Sequence, residues 1–147
     1  MIVRKLEIDD IDECVNLFIK VFSQKPWEDE WASFEYAKSY LLDFVNTPGF
    51  IGLVATKDSK IIGSSFGHIQ KWWSGTEFFI SEFFIDTNIQ GQGVGKTILN
   101  YLQNKLSKMN INCITLLTSR DVDAYKFYEK CGFKTAEKTV LMFNNYK

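Results

Sequence analysis

Three glycines in five residues, Gly91, Gly93 and Gly95, stand between two strongly patterned segments. Before them, residues 77–86 are apolar on both faces, which predicts a central strand. After them, residues 93–109 place Val94, Ile98, Tyr101, Leu102 and Leu106 at helical spacing, facing inward. A strand, a glycine-rich turn and a helix N-terminus in direct succession restrict the chain to folds in which helices pack on a sheet. The same succession gathers N–H groups at one spot. Glycine lets the backbone curl, and the first helical turn adds unpaired donors and a positive dipole end. Residues 90–96 therefore read as a cradle for an anion such as a pyrophosphate, with Lys96 adding charge. A turn whose glycines serve packing alone would carry the same letters.

The remaining segments supply such a fold. Patterning and turn chemistry predict a strand over 2–8, then a helix over 10–22 capped by Asp10 with Glu13 as its capping-box partner. A second helix is predicted over 31–45, followed by strands over 50–56 and 61–72. Beyond the glycines come a buried strand over 113–117, a short helix over 122–130 stopped by Gly132, and a last strand over 139–143, with room for another near Phe133. This order makes an α/β (α+β) chain, a mixed sheet with helices on its faces. Its 147 residues match a single domain, 1–147, and 46% apolar content is enough for a core.

Composition narrows the function. A net charge of −1, from 17 basic and 18 acidic residues, argues against a dedicated nucleic-acid binder. The charge is uneven: acids dominate residues 1–95 and bases the rest, so a cleft between the halves would suit a cation on one wall and an anion on the other. No apolar run reaches the roughly 18 residues of a membrane span, so no membrane partner is expected. The N-terminus alternates like a strand and lacks a signal peptide's apolar block. Three widely spaced cysteines, Cys14, Cys113 and Cys131, then read as reduced thiols of a cytoplasmic protein.

Several motifs come close and fail. A P-loop needs glycine where Gln90 stands, although Gly95-Lys96-Thr97 would complete it, so a small NTPase is a distant alternative. A dinucleotide fingerprint begun at Gly91 ends on Lys96. Gly63-Ser64-Ser65-Phe66-Gly67 spells G-x-S-x-G, but the single histidine, His68, lies in the same β-like run, so no triad follows. One histidine and no paired cysteines leave no metal site.

What does fit is Q-x-x-G-x-G, read as Gln90, Gly93 and Gly95, directly after Glu82-Phe83-Phe84-Ile85-Asp86. Further on, the segment from Ala124 to Phe133 reads A-x-x-F-Y-E-K-x-G-F. Together these resemble the GNAT superfamily of acyl-CoA-dependent N-acetyltransferases, with residue-level matches confined to about residues 82–133. The resemblance implies a GNAT fold, a mixed and mostly antiparallel sheet with helices on both faces, and acetyl-CoA as cosubstrate without a metal. It implies that the strand Phe83-Phe84-Ile85 parts from its neighbour, offering the backbone of Phe83 and Ile85 to the pantetheine arm. Main-chain amides of Gln90, Gly91, Gln92, Gly93, Val94, Gly95 and Lys96 would hold the pyrophosphate. Tyr128 would sit near the thioester sulfur and protonate the leaving thiolate. One departure is Asp121, where many members carry asparagine; it is left out of the site because a carboxylate would repel phosphate.

The acceptor nitrogen must lose a proton before it attacks. Glu82, in the predicted central strand beside Phe83 and Phe84, is the leading internal base, since burial would raise its proton affinity toward the working pH. Glu77 is second, and a water relay could replace either. On the substrate side, Trp27, Glu28 and Trp31 lie in Pro26-Trp27-Glu28-Asp29-Glu30-Trp31, where indoles around carboxylates suit a cationic amine. A helix start with tryptophans packed on the core would look the same. Trp72-Trp73 could line this region or join two copies as a homodimer. The expected activity is acetyl transfer to a primary amine of a small molecule or peptide; the alternative is an acyl-CoA sensor without chemistry.

Overall fold

The computed structural model describes all residues from Met1 to Lys147. The chain divides into two compact units, Met1–Leu117 and Thr118–Lys147. The first holds a five-stranded sheet of β1 (Ile2–Lys5), β2 (Phe50–Lys57), β3 (Lys60–Trp72), β4 (Gly75–Ile85) and β5 (Ile114–Leu116), in that spatial order. The first four strands pair antiparallel; β5 joins β4 in parallel, as a helical crossover requires. The strand expected to be central is fourth of five.

Both faces of the sheet are covered. Helix α1 (Ile11–Phe22) buries Ile11, Cys14, Val15, Leu17, Phe18 and Val21, and α2 (Phe34–Val45) buries Ala37 and Leu41. These join Val54, Phe66 and Phe84 in one core cluster, each large side chain contributing ~1.5–3 kcal/mol on burial. Helix α3 (Val94–Ser107) takes the opposite face. Its stripe is Val94, Ile98, Leu99, Leu102 and Leu106, and a Cβ added to Gly63 of β3 would lie 3.1 Å from Ile98 Cδ1. Tyr101, expected inward, is 41% exposed because it sits about 100° around the helix from Leu102.

Helix starts differ from the expected ones because capping groups decide them. Asp10 does not cap α1. Its carboxylate accepts from the Glu7 N–H at 2.8 Å and pairs with Arg4 at 2.7 Å, closing a capping box around a single 3₁₀ turn, Ile8–Asp10. Glu13, its expected partner, accepts instead from the Ile61 N–H of β3. Helix α2 begins at Phe34 rather than Trp31 because the Ser33 hydroxyl accepts from the Tyr36 N–H at 3.0 Å.

The expected buried strand over 113–117 is a three-residue ladder of half-buried residues at the sheet edge, with Cys113 and Leu117 exposed. In the second unit, α4 (Asp123–Lys130) is followed by Gly132 at φ +93°, a backbone state that stops a helix. The expected strands near Phe133 and over 139–143 do not form. Val140, Leu141, Met142 and Phe143 are 74–85% exposed, since an apolar run becomes a strand only where a ladder accepts it. No helix is long and apolar enough to cross a membrane.

Candidate active site

The site begins with an extra residue. Along β3 and β4, Phe66 pairs with Glu82 but Gly67 pairs with Ile80, so Ser81 is a bulge in β4. Side chains alternate along a strand, so one inserted residue reverses everything after it. Phe78 lies against Gly67, on the α3 face, whereas Phe84 packs on Phe18 (5.6 Å between centroids) and Phe66 (6.1 Å) beneath α1 and α2. Glu82, opposite Phe66, is thereby turned to the α1/α2 face. Main-chain directions reverse too. The Phe78 N–H donates to Cys113 O at 2.9 Å toward β5, while the Asp86 N–H donates to Ile62 O at 2.8 Å toward β3. By alternation, the peptide groups of Phe83 and Ile85 face the β5 side. There the β4–β5 ladder spans only Phe78–Ile80, while pairing with β3 continues to Ile85.

On the α1/α2 face, Glu82 meets a phenol. Tyr40 Oη of α2 donates to Glu82 Oε1 at 2.6 Å. Partial burial raises the Glu82 proton affinity to about 7, against the lowering effect of the Tyr40 hydrogen bond; the negative charge of Asp29 raises it further. The Tyr40 ring lies 4.9 Å from Trp31 and 4.8 Å from Phe44, and Trp31 lies 5.1 Å from Phe18. The Trp31 indole N–H is buried without a hydrogen-bond partner. Trp27 packs on Phe22 at 5.6 Å. Trp31 therefore joins Glu82 through Tyr40, Trp27 stands one ring further out, and Glu28 is an exposed residue at φ +51°. The spacing rules did not single out Tyr40: a tyrosine on an apolar helix face reads as core, and only its partner 42 residues away distinguishes it.

After Ile85 the chain turns on Asp86, which accepts from the Asn88 N–H at 3.1 Å and pairs with Lys20 of α1 at 2.8 Å. That pairing holds its carboxyl below the usual range. Gln90 Nε2 donates to Ile85 O at 3.2 Å, so Gln90 braces the turn against the strand end. Gly91 and Gly93 adopt φ of +83° and +84°, and a Cβ at either would meet nothing within 4 Å. Glycine is needed here for its backbone state, beside open space rather than packed chain. The Thr97 N–H donates to Gly93 O at 3.0 Å as the first intrahelical bond, so the N–H groups of Val94, Gly95 and Lys96 precede the ladder of α3. This donor set, on a helix N-terminus with the exposed Lys96, fits a pyrophosphate.

Tyr128 belongs to the second unit, where its ring lies edge-on to Phe127 (5.3 Å) and Phe133 (5.4 Å). Its carbonyl accepts from the N–H groups of Cys131 and Phe133 at 3.0 Å, wrapping the end of α4.

Comparison with known proteins gives this arrangement its context. An uncharacterised N-acetyltransferase, ycf52, of Pyropia yezoensis is 29% identical over 133 residues, covering 88% of this chain and 73% of that protein. An aminoglycoside acetyltransferase from an uncultured soil metagenomic sample, solved with sisomicin, superposes with a TM-score of 0.73 at 20% identity over 99% of this chain and 95% of its own. A predicted acetyltransferase from Clostridium acetobutylicum, solved with acetyl-CoA, gives 0.72 at 18% identity over 97% of this chain and 95% of its own. At such identities these two structures share the fold. The sequence pattern of the acetyltransferase (GNAT) family matches residues 11–133, from the first residue of α1 to the Gly132-Phe133 pair beyond α4. With that match spanning the bulged strand, the glycine turn and the Tyr128 helix, the chain is a member of the GNAT acetyltransferase family and an enzyme of that class.

Proposed function

We propose that the chain moves an acetyl group from acetyl-CoA to a primary amine of a small cationic metabolite, an aminoglycoside-like compound or a peptide, by direct transfer in a ternary complex. The observation carrying this reading is the continuity of one strand. The carboxyl of Glu82, with a proton affinity of about 7, stands on the same five residues whose Phe83 and Ile85 peptide groups lead into the glycine turn. Acid–base group and anion cradle are thus built on adjacent, covalently fixed positions.

The amides of Gly91 to Lys96 hold the pyrophosphate, and the main chain of Phe83 and Ile85 lines the pantetheine arm. Phe84 stands between them with its side chain in the core and, by the same alternation, its peptide groups toward β3, so its part is to hold Phe83 and Ile85 in place. When bound, acetyl-CoA supplies the activated acyl group. Trp27, Glu28 and Trp31 receive the cationic acceptor through charge and ring faces. Glu82 takes the proton of the acceptor ammonium, directly or through one water, because a group near 7 is charged often enough to accept it. A β4 N–H facing the reacting carbonyl would contribute a few kcal/mol. Tyr128 keeps a proton for the departing sulfur, an assignment supported by the A-x-x-F-Y-E-K-x-G-F motif and the family membership. Cys14 is unsuited to a covalent route, since burial pushes its thiol up to about 12.

Thiol release from acetyl-CoA with a panel of amines tests the reading. Cationic primary amines should give turnover. Binding of coenzyme A without thiol release would make the chain a sensor instead. Tyr128→Phe should lower kcat by about 100-fold while coenzyme A affinity is kept; equal loss of both would remove Tyr128 from the acid role.

A further inference from the structure

Glu82 is the carboxyl of β4 that the bulge directs onto the aromatic face under α1 and α2, and it does not stand there alone. Its Oε1 atom receives the Tyr40 hydroxyl at 2.6 Å, which leaves Oε2 as the oxygen able to face an acceptor. Tyr40 has little freedom to do otherwise. Its ring is fixed by Trp31 at 4.9 Å, Phe44 at 4.8 Å and Phe18 at 5.9 Å, drawn from three different segments. Burial and the nearby carboxylate both raise the phenol's proton affinity, so it remains a donor at every working pH.

We propose that Tyr40 is the positioning residue of the acetyl-transfer base: its hydroxyl, on a ring held by Trp31, Phe44 and Phe18, locks Glu82 in one rotamer through Oε1. The inference rests on Glu82 being the base. Two titratable groups act on Glu82, Tyr40 from α2 and Asp29 from the segment before it. β3 opposes it with Phe66, and α1 brings the rings of Phe18 and Phe22 against neighbouring Phe84. Asp29 opposes ionisation and Tyr40 favours it. Loss of the hydroxyl therefore leaves desolvation and Asp29 unopposed, and Glu82 should hold its proton more tightly. A hydrogen bond to a charged group of this kind is worth about one pH unit in the midpoint of its acceptor.

The test is a carbon-13 NMR titration of the Glu82 carboxyl in the free protein, assigned by its disappearance in Glu82→Gln. In Tyr40→Phe the midpoint should move up by about one pH unit. The acid limb of kcat/KM for the fastest amine should move by the same amount, with kcat at high pH largely kept. A folded Tyr40→Phe whose midpoint is unmoved overturns the proposal, whatever its activity. Where the substitution prevents folding, 3-fluorotyrosine at position 40 decides: a more acidic phenol should lower the midpoint, and no change refutes the role. Failure of the acetyltransfer reading is separate, seen as absence of thiol release by the unaltered protein, and the NMR midpoint answers the Tyr40 question in either case.

Discussion

Glu82 is a charge that the fold makes costly. Its proton affinity rises from 4.5 in the open chain to about 7 in the folded one. Stability from this group is therefore complete below about pH 4.5 and is lost as pH climbs through 7, because the folded state must then ionise a desolvated carboxyl. Glu82→Gln should be more stable than the parent by ~2 kcal/mol at pH 8 and equal to it near pH 4, as read by urea unfolding. A constant difference across that range would exclude burial of the charge as the cause. Asp86 runs the opposite way: Lys20 lowers its proton affinity, so its small contribution exists above pH 3.8 and disappears in acid. Among the thiols, native Cys14 should resist an aromatic disulfide reagent at pH 8 while exposed Cys113 reacts; modification of Cys14 in the folded state would contradict its burial. Glu82 was legible in the sequence because a carboxylate inside an apolar strand is conspicuous. Tyr40 was not, because an aromatic at helical spacing carries no sign of what its hydroxyl meets.

At the scale of elements, two glycines separate strain from crowding. Gly93 needs its φ of +84° and has open space around it, so Gly93→Ala should cost ~1 kcal/mol in stability and weaken coenzyme A binding more than it weakens the fold. Gly67 has an unremarkable backbone, but a Cβ there would lie 2.5 Å from the Phe78 ring and from Phe79 O. Gly67→Ala should destabilise by ~2–3 kcal/mol in denaturant melts, because β3 and β4 must part to admit it. Equal, small effects at both positions would mean that neither backbone state nor packing sets these residues. The elements themselves were largely predictable from periodicity and turn chemistry, and their ends moved where caps intervened. Ser33 shortened α2 with one hydroxyl, and Asp10 was diverted from α1 by Arg4. The Ser81 bulge left no trace in the letters, since Ile80, Ser81 and Glu82 continue the strand pattern while their faces reverse.

At the scale of the whole molecule, a ligand that binds only the folded chain stabilises it by ~2.7 kcal/mol at a hundredfold excess over Kd. Coenzyme A should therefore raise Tm by roughly 5–10 °C, and ATP far less, in a fluorescence melt. Equal shifts would mean a cradle for phosphate in general rather than for this coenzyme. The sequence by itself determined the strand–turn–helix unit, the two apolar faces and the motif that marks the family. Each of these is written in residues within a few turns of one another, where backbone stereochemistry acts directly. The tertiary structure decided which carboxyl meets which phenol, that residues 139–143 find no ladder, and that the β4–β5 pairing stops at Ile80 while β3 follows β4 to its end. Those outcomes depend on strand register, and a one-residue slip changes every later face without changing the local preference of any residue.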